Sequence, residues 1–132
     1  MTITIPGLPP FECGPNARLD KYAKARAVLD YRTAARYAAI DARNRSECPG
    51  KWKNLDMARV DVTFVVPDNR RRDKTNMASA FKPALDGIVD AGILVDDSWQ
   101  HCDDQYHVRM EKGQRMTIVE IEALPSPSDA QV

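Results

Sequence analysis

The stretch RVDVTFVVP, Arg59 to Pro67, is the part of the sequence that says most about the fold. Its apolar side chains fall on alternate positions, namely Val60, Val62, Phe64 and Val66. The polar residues Asp61 and Thr63 separate the first three of them. A period of two residues is typical of a strand with one buried face. Proline lacks the N–H that a strand ladder needs, so the pattern predicts a strand that ends at Pro67.

A helical pattern follows that strand. Apolar residues recur at steps of three and four, which places them on one helix face; they are Met77, Phe81, Ala84, Leu85, Ile88 and Val89. Lys82, Asp86 and Asp90 form a charged row on another face. Pro83 lies inside the pattern, so either the helix is kinked or its regular part begins near Pro83. Gly92 is expected to end the helix.

The remaining segments give the order of elements. TITI, residues 2–5, alternates like a short strand, and PGLPP ends it. Residues 24–43 predict a helix with a face of mostly small side chains: Ala27, Tyr31, Ala34, Ala35, Ala38 and Ala42. ILV is a short apolar run, and YHVRMEK and RMTIVEIEAL are interpreted as the two strands of a hairpin. The order β-α-β-α-(β)-β-β predicts one α+β domain, residues 1–124, with helices on one face of a small mixed sheet. Residues 125–132 are expected to be a disordered tail.

Charge and cysteine content exclude several classes of protein. Nineteen basic and nineteen acidic residues give no net charge, so any polyanion site has to be a local patch. Cys13, Cys48 and Cys102 are odd in number and widely spaced, which argues against a disulfide framework or a zinc site and favours a reduced, cytoplasmic setting. The N-terminus lacks the pattern of a secretory signal, and no long apolar run predicts a membrane span.

The local patch is found from Arg70 to Lys82, where five basic residues stand against Asp73 alone. Acidic residues follow on the helix and, after it, at Asp96 and Asp97. Mg²⁺ binds through one or two carboxylates plus phosphate oxygens and water, so carboxylates beside arginines suit phosphoryl transfer. The spacing permits such a cluster without requiring it: charge runs are commonly solvated turns, and DDS is also compatible with a simple turn.

In its order of charged residues, the chain resembles the RusA-type Holliday junction resolvases, which are typically met in phages and prophages. The residues that carry the resemblance are RRRD ending at Asp73, Asn76, KPALDGIVDAG with Lys82 and Asp86, and the pair Asp96-Asp97. The likeness extends over most of residues 1–124 and is tightest from Arg70 to Asp97.

The resemblance implies a small α+β homodimer that cuts four-way DNA junctions symmetrically and needs Mg²⁺ or Mn²⁺, with no organic cofactor. Asp73, Asp97 and Lys82 match catalytic positions of the family. The implied metal ligands are Asp73, Asp97, Asp96 and Asp86. The implied DNA contacts come from the basic patch and its neighbour: Arg70, Arg71, Arg72, Lys74, Asn76 and Lys82.

One position departs from the family pattern. Where the family has Asp-x-Asp-Asn, this chain has DKTN, so Thr75 stands in place of the second aspartate. A neutral hydroxyl is a weaker oxygen ligand than a carboxylate. Two alternatives to a nuclease therefore stay open: a junction-binding protein that does not cut, and a small phage interaction protein with only the fold. In an active enzyme two possibilities stay open: Thr75 leaves a gap in the metal site that Thr75→Asp would fill, or Asp86 or Asp90 on the helix supplies the missing ligand, with Asp86 favoured.

Other residues suggestive of a site are interpreted as structural. His101, Cys102 and His107 lack a fourth metal ligand and lie in or beside a predicted strand. Trp52 and Trp99 are capable of stacking on bases, but we expect both to be buried or partly buried.

Overall fold

The computed structural model describes residues 1–125. A four-stranded mixed sheet packs against two long helices, which confirms the predicted α+β class. The strands are β1 (Thr2–Pro6), β2 (Ala58–Val66), β3 (Cys102–Met110) and β4 (Met116–Ala123). The helices are α1 (Lys21–Arg45) and α2 (Lys74–Asp90), and short 3-10 turns occupy Phe11–Cys13 and Pro49–Trp52. The expected disordered tail falls, except for residue 125, outside the described residues.

The sheet order is β1-β4-β2-β3, so the predicted hairpin of the last two strands is wrong. β3 pairs with β2 in parallel, whereas β4 pairs antiparallel with the other edge of β2. The connection between β3 and β4 crosses the end of β2, where Glu111 N–H donates to the Val66 carbonyl at 2.9 Å and Gly113 N–H to the Pro67 carbonyl at 3.2 Å. β2 ends in the buried run Phe64–Val66, and a strand this apolar is stabilised by a neighbour on each side.

One face of the sheet forms the core with both helices. Its buried side chains come from three neighbouring strands: Ile3, Ile5, Val60, Val62, Phe64, Val119 and Ile121. In register with them, Asp104 pairs with Val60 and Tyr106 with Val62. Because paired residues on neighbouring strands point to the same side, Asp104 and Tyr106 lie on the helix-facing side of the edge strand β3.

Helix α1 crosses α2 closely. Asp20 caps its start by accepting a hydrogen bond from Ala23 N–H at 2.8 Å. The buried stripe is Tyr31, Ala35 and Ala39, whereas Ala34, predicted to share that face, is exposed. At the crossing stands Gly87 of α2, where an added Cβ would lie 2.3 Å from the Arg32 carbonyl oxygen. The small residues therefore let the two backbones approach one another.

Helix α2 runs without a break from Lys74 to Asp90, with Pro83 inside it. The alternative that its regular part begins near Pro83 is therefore wrong. Pro83 is buried in the core and has no N–H to offer the Ser79 carbonyl. The helix ends as predicted near Gly92, which has a φ of +79°. The following ILV run is no strand of the sheet: it makes a single bridge, Leu94 to Leu55.

Candidate active site

Asp73 caps the N-terminus of α2. Its Oδ1 accepts hydrogen bonds from Thr75 N–H at 2.9 Å and Asn76 N–H at 3.2 Å. An aspartate at this position satisfies otherwise unpaired helix donors and sets its charge against the positive end of the helix dipole. Asp73 thus fixes where the helix starts. It thereby also fixes the directions in which the side chains of Thr75 and Asn76 point from the backbone.

Lys82 joins two of the predicted carboxylates. Its ammonium donates to Asp86 Oδ1 at 2.8 Å, one helical turn away, and also to Asp97 Oδ2 in the loop after the helix. The structure therefore brings together Lys82, Asp86 and Asp97. The two carboxylates converge on one cationic nitrogen, so their negative charge is concentrated in a small volume beside α2.

A cleft of about 570 Å³, the lysine cleft, opens beside this group. It lies between α2 and β3 and is lined by Thr75, Ala78, Ser79, Lys82, Leu85, Asp97, Asp104 and Tyr106. Thr75, the residue that departs from the family pattern, therefore shares a cleft with Lys82 and Asp97. Asp104 adds a carboxylate that the sequence analysis did not predict.

The sequence did not predict a role for Asp104 because DDQ, residues 103–105, resembles part of a polar loop. In the structure β3 already begins at Cys102, four residues before the predicted start. The two-residue alternation of Cys102, Tyr106, Val108 and Met110 is visible in the sequence, and it includes position 104. Extending that alternation backwards would have placed Asp104 on the face of β3 that meets α2.

Tyr106 holds Asp104 in place. Its ring lies 6.1 Å from that of Phe64 and 6.0 Å from that of Phe81, centroid to centroid. Its hydroxyl donates to Asp104 Oδ2 at 2.7 Å. Burial, followed by the neighbouring Asp104 carboxylate, raises the pKa of the Tyr106 hydroxyl. The hydroxyl therefore stays protonated near neutral pH and acts as a fixed hydrogen-bond donor to Asp104.

The four predicted metal ligands do not form one compact cluster. Asp96 is exposed and uses Oδ1 to accept from Asp97 N–H at 2.9 Å, which shapes the loop. Across residues 1–125 no set of three or more His, Cys, Asp or Glu side chains is arranged to hold a metal ion. Asp86 and Asp97 nevertheless meet at one cation, and Mg²⁺ in phosphate chemistry commonly takes only one or two protein carboxylates. The donor set thus fits Mg²⁺ only together with substrate oxygens.

The three arginines differ in environment. Arg70 and Arg71 are exposed, whereas the Arg72 side chain is only 12% exposed and donates through Nη1 to Asp68 Oδ1 at 2.9 Å. The hydrogen bond from Arg70 N–H lowers the pKa of Asp68 most, and the hydrogen bond from the Arg72 side chain lowers it further. All three arginines line a cleft of about 400 Å³, the arginine cleft, beside the start of α2. Lys74 is exposed at the first position of that helix.

Asp90, one of two candidates to compensate for Thr75, is engaged elsewhere. Arg32 of α1 donates to its two oxygens at 2.5 and 2.8 Å. The hydrogen bond from Arg32 lowers the pKa of Asp90. Asp90 therefore joins the helices, whereas Asp86 contacts Lys82 at the lysine cleft.

The histidines have separate partners. His101 Nδ1 lies 2.7 Å from the Asp56 carbonyl oxygen, and His107 Nε2 lies 3.3 Å from Asp61 Oδ1, in agreement with a structural interpretation. The tryptophans differ from each other. Trp52 is 9% exposed, as predicted, but Trp99 is 82% exposed, so its predicted burial is wrong. Trp99 belongs to the loop between α2 and β3.

Comparison with known proteins gives no family for this chain, since no family model and no curated protein matches the sequence. A function has to be argued from the chain's own residues. Among the helices of the described residues, none combines the length and the apolar content that crossing a bilayer requires.

Proposed function

We propose that the protein is a metal-dependent endonuclease that acts on four-way or otherwise branched DNA, as its resemblance to the RusA-type resolvases implies. The observation that carries the proposal is the contact of Lys82 with both Asp86 and Asp97. It puts a cation and two carboxylates next to an open cleft. The segment that leads into the same helix, Arg70 to Arg72, offers contacts for the phosphate backbone.

The roles follow from the positions of the side chains. Bound Mg²⁺ or Mn²⁺ would activate water and stabilise the leaving oxygen of the cut strand. Asp97 and Asp86 are its proposed ligands; Asp96 lies beside Asp97 in the loop, whereas Asp73 lies at the start of α2 in the lining of the arginine cleft. Lys82 holds the two carboxylates in place and neutralises part of the charge on a bound phosphate.

The DNA contacts are assigned by exposure. Arg70, Arg71 and Lys74 are exposed and would bind phosphates, whereas Arg72 braces the turn that presents them. Symmetric cutting of a junction requires two sites related by a two-fold axis, so the active form would be a homodimer. Such an enzyme would work in the cytoplasm, that of the host if it is phage-encoded.

A cleavage assay on a synthetic four-way junction tests the proposal. We expect the wild type to bind the junction without divalent metal and to make paired incisions when Mg²⁺ or Mn²⁺ is added. Asp97→Asn should lower cleavage by at least about 100-fold and leave binding intact, because it removes a metal ligand and some repulsion of phosphate. Asp41→Asn, the same change at an exposed position of α1, is the matched control. Equal cutting by the Asp97 and Asp41 variants would refute the assigned ligands.

A junction-binding protein without nuclease activity is the second candidate. Thr75 in the lysine cleft favours it, because a neutral hydroxyl stands where the family pattern has a carboxylate. Binding without cutting in either metal would establish it over the nuclease. If Thr75 leaves a gap in the metal site, Thr75→Asp should then increase cutting, most clearly at low Mg²⁺. If Asp86 already compensates, Asp86→Asn should abolish cutting and Thr75→Asp should bring no gain.

A further inference from the structure

The arginine cleft is lined by apolar as well as basic residues. Leu8 and Phe11 come from the loop after β1, and Met77 comes from the first turns of α2. The three arginines complete the lining. Its volume of about 400 Å³ lies within the range of about 300–1,000 Å³ that is typical of small-molecule sites. A ligand matched to this cleft therefore has a flat or apolar part and an anionic part.

Phe11 is 70% exposed on a loop that is held in place. The loop closes a 3-10 turn through Cys13 N–H to the Pro10 carbonyl at 3.0 Å and Gly14 N–H to the Phe11 carbonyl at 2.9 Å. Two residues beyond Phe11, Cys13 is buried in the core. The exposure of the ring is therefore not the result of a loose chain, and the prolines before it restrict the loop further. A ring presented in this way costs little entropy when it stacks on a partner.

Arg72 fixes the turn that presents the other two arginines at the cleft. Its Nη1 donates to the Asp68 carboxylate and to the carbonyls of Asp68 and Arg70, at 2.9 to 3.2 Å. Its Nη2 is buried and has no hydrogen-bond partner among the residues described. Because Nη2 is closed off from solvent, a ligand in the cleft does not reach it, and the phosphate contacts fall to the exposed Arg70 and Arg71.

We propose that the arginine cleft binds one unpaired nucleotide of a DNA strand, with its base stacked on Phe11 and its phosphate held by Arg70 and Arg71. The inference rests on the proposed function for the identity of the polymer. A base inside a duplex has both faces covered, so only a base that has left the stack is able to lie on the ring. Branch points supply such bases, and stacking tolerates any sequence. The Asp73 carboxylate, at the edge of the cleft, directs the phosphate towards the arginines and away from the helix end.

The test measures binding of two probes by the wild type and three variants. The probes are a synthetic four-way junction and a short thymidine oligomer that contains one 2-aminopurine, whose fluorescence reports stacking. Phe11→Ala should weaken binding of the oligomer by about 5- to 150-fold, the range expected for one lost base–aromatic stack. Phe11→Trp should restore it. Tyr37→Ala removes a similarly exposed ring from α1 and should change nothing.

The outcomes separate this inference from the proposed function. If Phe11→Ala binds the oligomer as tightly as the wild type does, the nucleotide site is wrong, whatever the junction assay gives. If Phe11→Ala weakens the oligomer complex while the wild type neither prefers nor cuts junctions, the site stands and the branched-DNA function fails. A wild type that binds neither probe overturns both. Circular dichroism of Phe11→Ala identical to that of the wild type excludes misfolding as the cause of a loss.

Discussion

The position of α2, and therefore of Lys82 and Asp86, depends on its contact with α1 at Gly87. A Cβ added there would lie 2.3 Å from the Arg32 carbonyl oxygen, 3.0 Å from Arg36 N and 3.2 Å from the Ala35 Cβ. Two of these three atoms belong to the backbone, so rotation of a side chain does not relieve the overlap. Ordinary contact begins at 3.4 Å, and Gly87→Ala would therefore push the helices apart by about 1 Å.

That displacement allows an estimate of the effect. Forcing an extra methyl group into a packed contact typically costs about 1–3 kcal/mol, and here rigid backbone puts the cost at the upper end. The higher helix propensity of alanine returns about 0.5–1 kcal/mol. We therefore expect Gly87→Ala to lower the free energy of unfolding by about 2 kcal/mol. For a chain of this length, the midpoint of thermal unfolding would fall by roughly 6–8 °C.

Urea unfolding followed by tryptophan fluorescence measures this effect, because Trp52 is buried in the folded protein. Gly50→Ala is the matched control: a Cβ there meets no atom within 4 Å, and the backbone has no positive φ. The control should match the wild type. If Gly87→Ala is as stable as the wild type or more so, the helices do not cross at Gly87, and the argument for how α2 is held is refuted.

Three further predictions concern charge and thiols. Arg71→Ala should reduce by about one the slope of log binding constant against log salt for junction DNA, and an unchanged slope would place this side chain away from phosphate. In the folded protein a thiol reagent at pH 8 should react quickly with the exposed Cys48 alone. Burial raises the pKa of the Cys13 thiol, and it raises the pKa of the Cys102 thiol to about 12. In urea all three cysteines should react. Because the hydrogen bond from Arg32 lowers the pKa of Asp90 in the folded state, Asp90 stabilises the fold fully above its unfolded pKa of about 3.9 and loses that contribution as pH falls from there through the lower folded pKa. The destabilisation caused by Asp90→Asn at pH 7 should therefore shrink progressively below about pH 3.9. A destabilisation that is constant from pH 7 to 2.5 would contradict the pairing.

The elements that the sequence predicted well are those with a strong local period. β2 alternates over most of its length, and α2 carries a full apolar face, so nearest neighbours in the chain define both. The positions of β3 and β4, on opposite sides of β2, depend instead on contacts between residues that are far apart in the sequence. A hairpin and a crossover around β2 have the same local sequence, and only the need of β2 for two neighbours distinguishes them.

The same distinction applies to the candidate site. Lys82 and Asp86 are one turn apart on a helix, so their contact follows from the sequence alone. The contact of Lys82 with Asp97 requires the chain to reverse after α2. Gly92 makes that reversal possible, and Leu55 holds the returning segment through hydrogen bonds with Ile93 and Val95 at 2.7 and 3.1 Å. No local sequence pattern predicts these hydrogen bonds.

The two clefts lie at different points along α2, and their separation predicts where an unstacked base should stand relative to the cut. From Asp73 to Lys82 is nine residues, or about 13 Å at 1.5 Å per helical residue. A strand with a rise of about 3.4 Å per nucleotide would cross that distance in at most about four nucleotides, and a more extended strand in fewer. A junction set with 2-aminopurine moved one position at a time should therefore show its largest Phe11-dependent signal within four nucleotides of the incision. A maximum farther away would mean that one strand does not occupy both clefts, because about four nucleotides already span the distance between them.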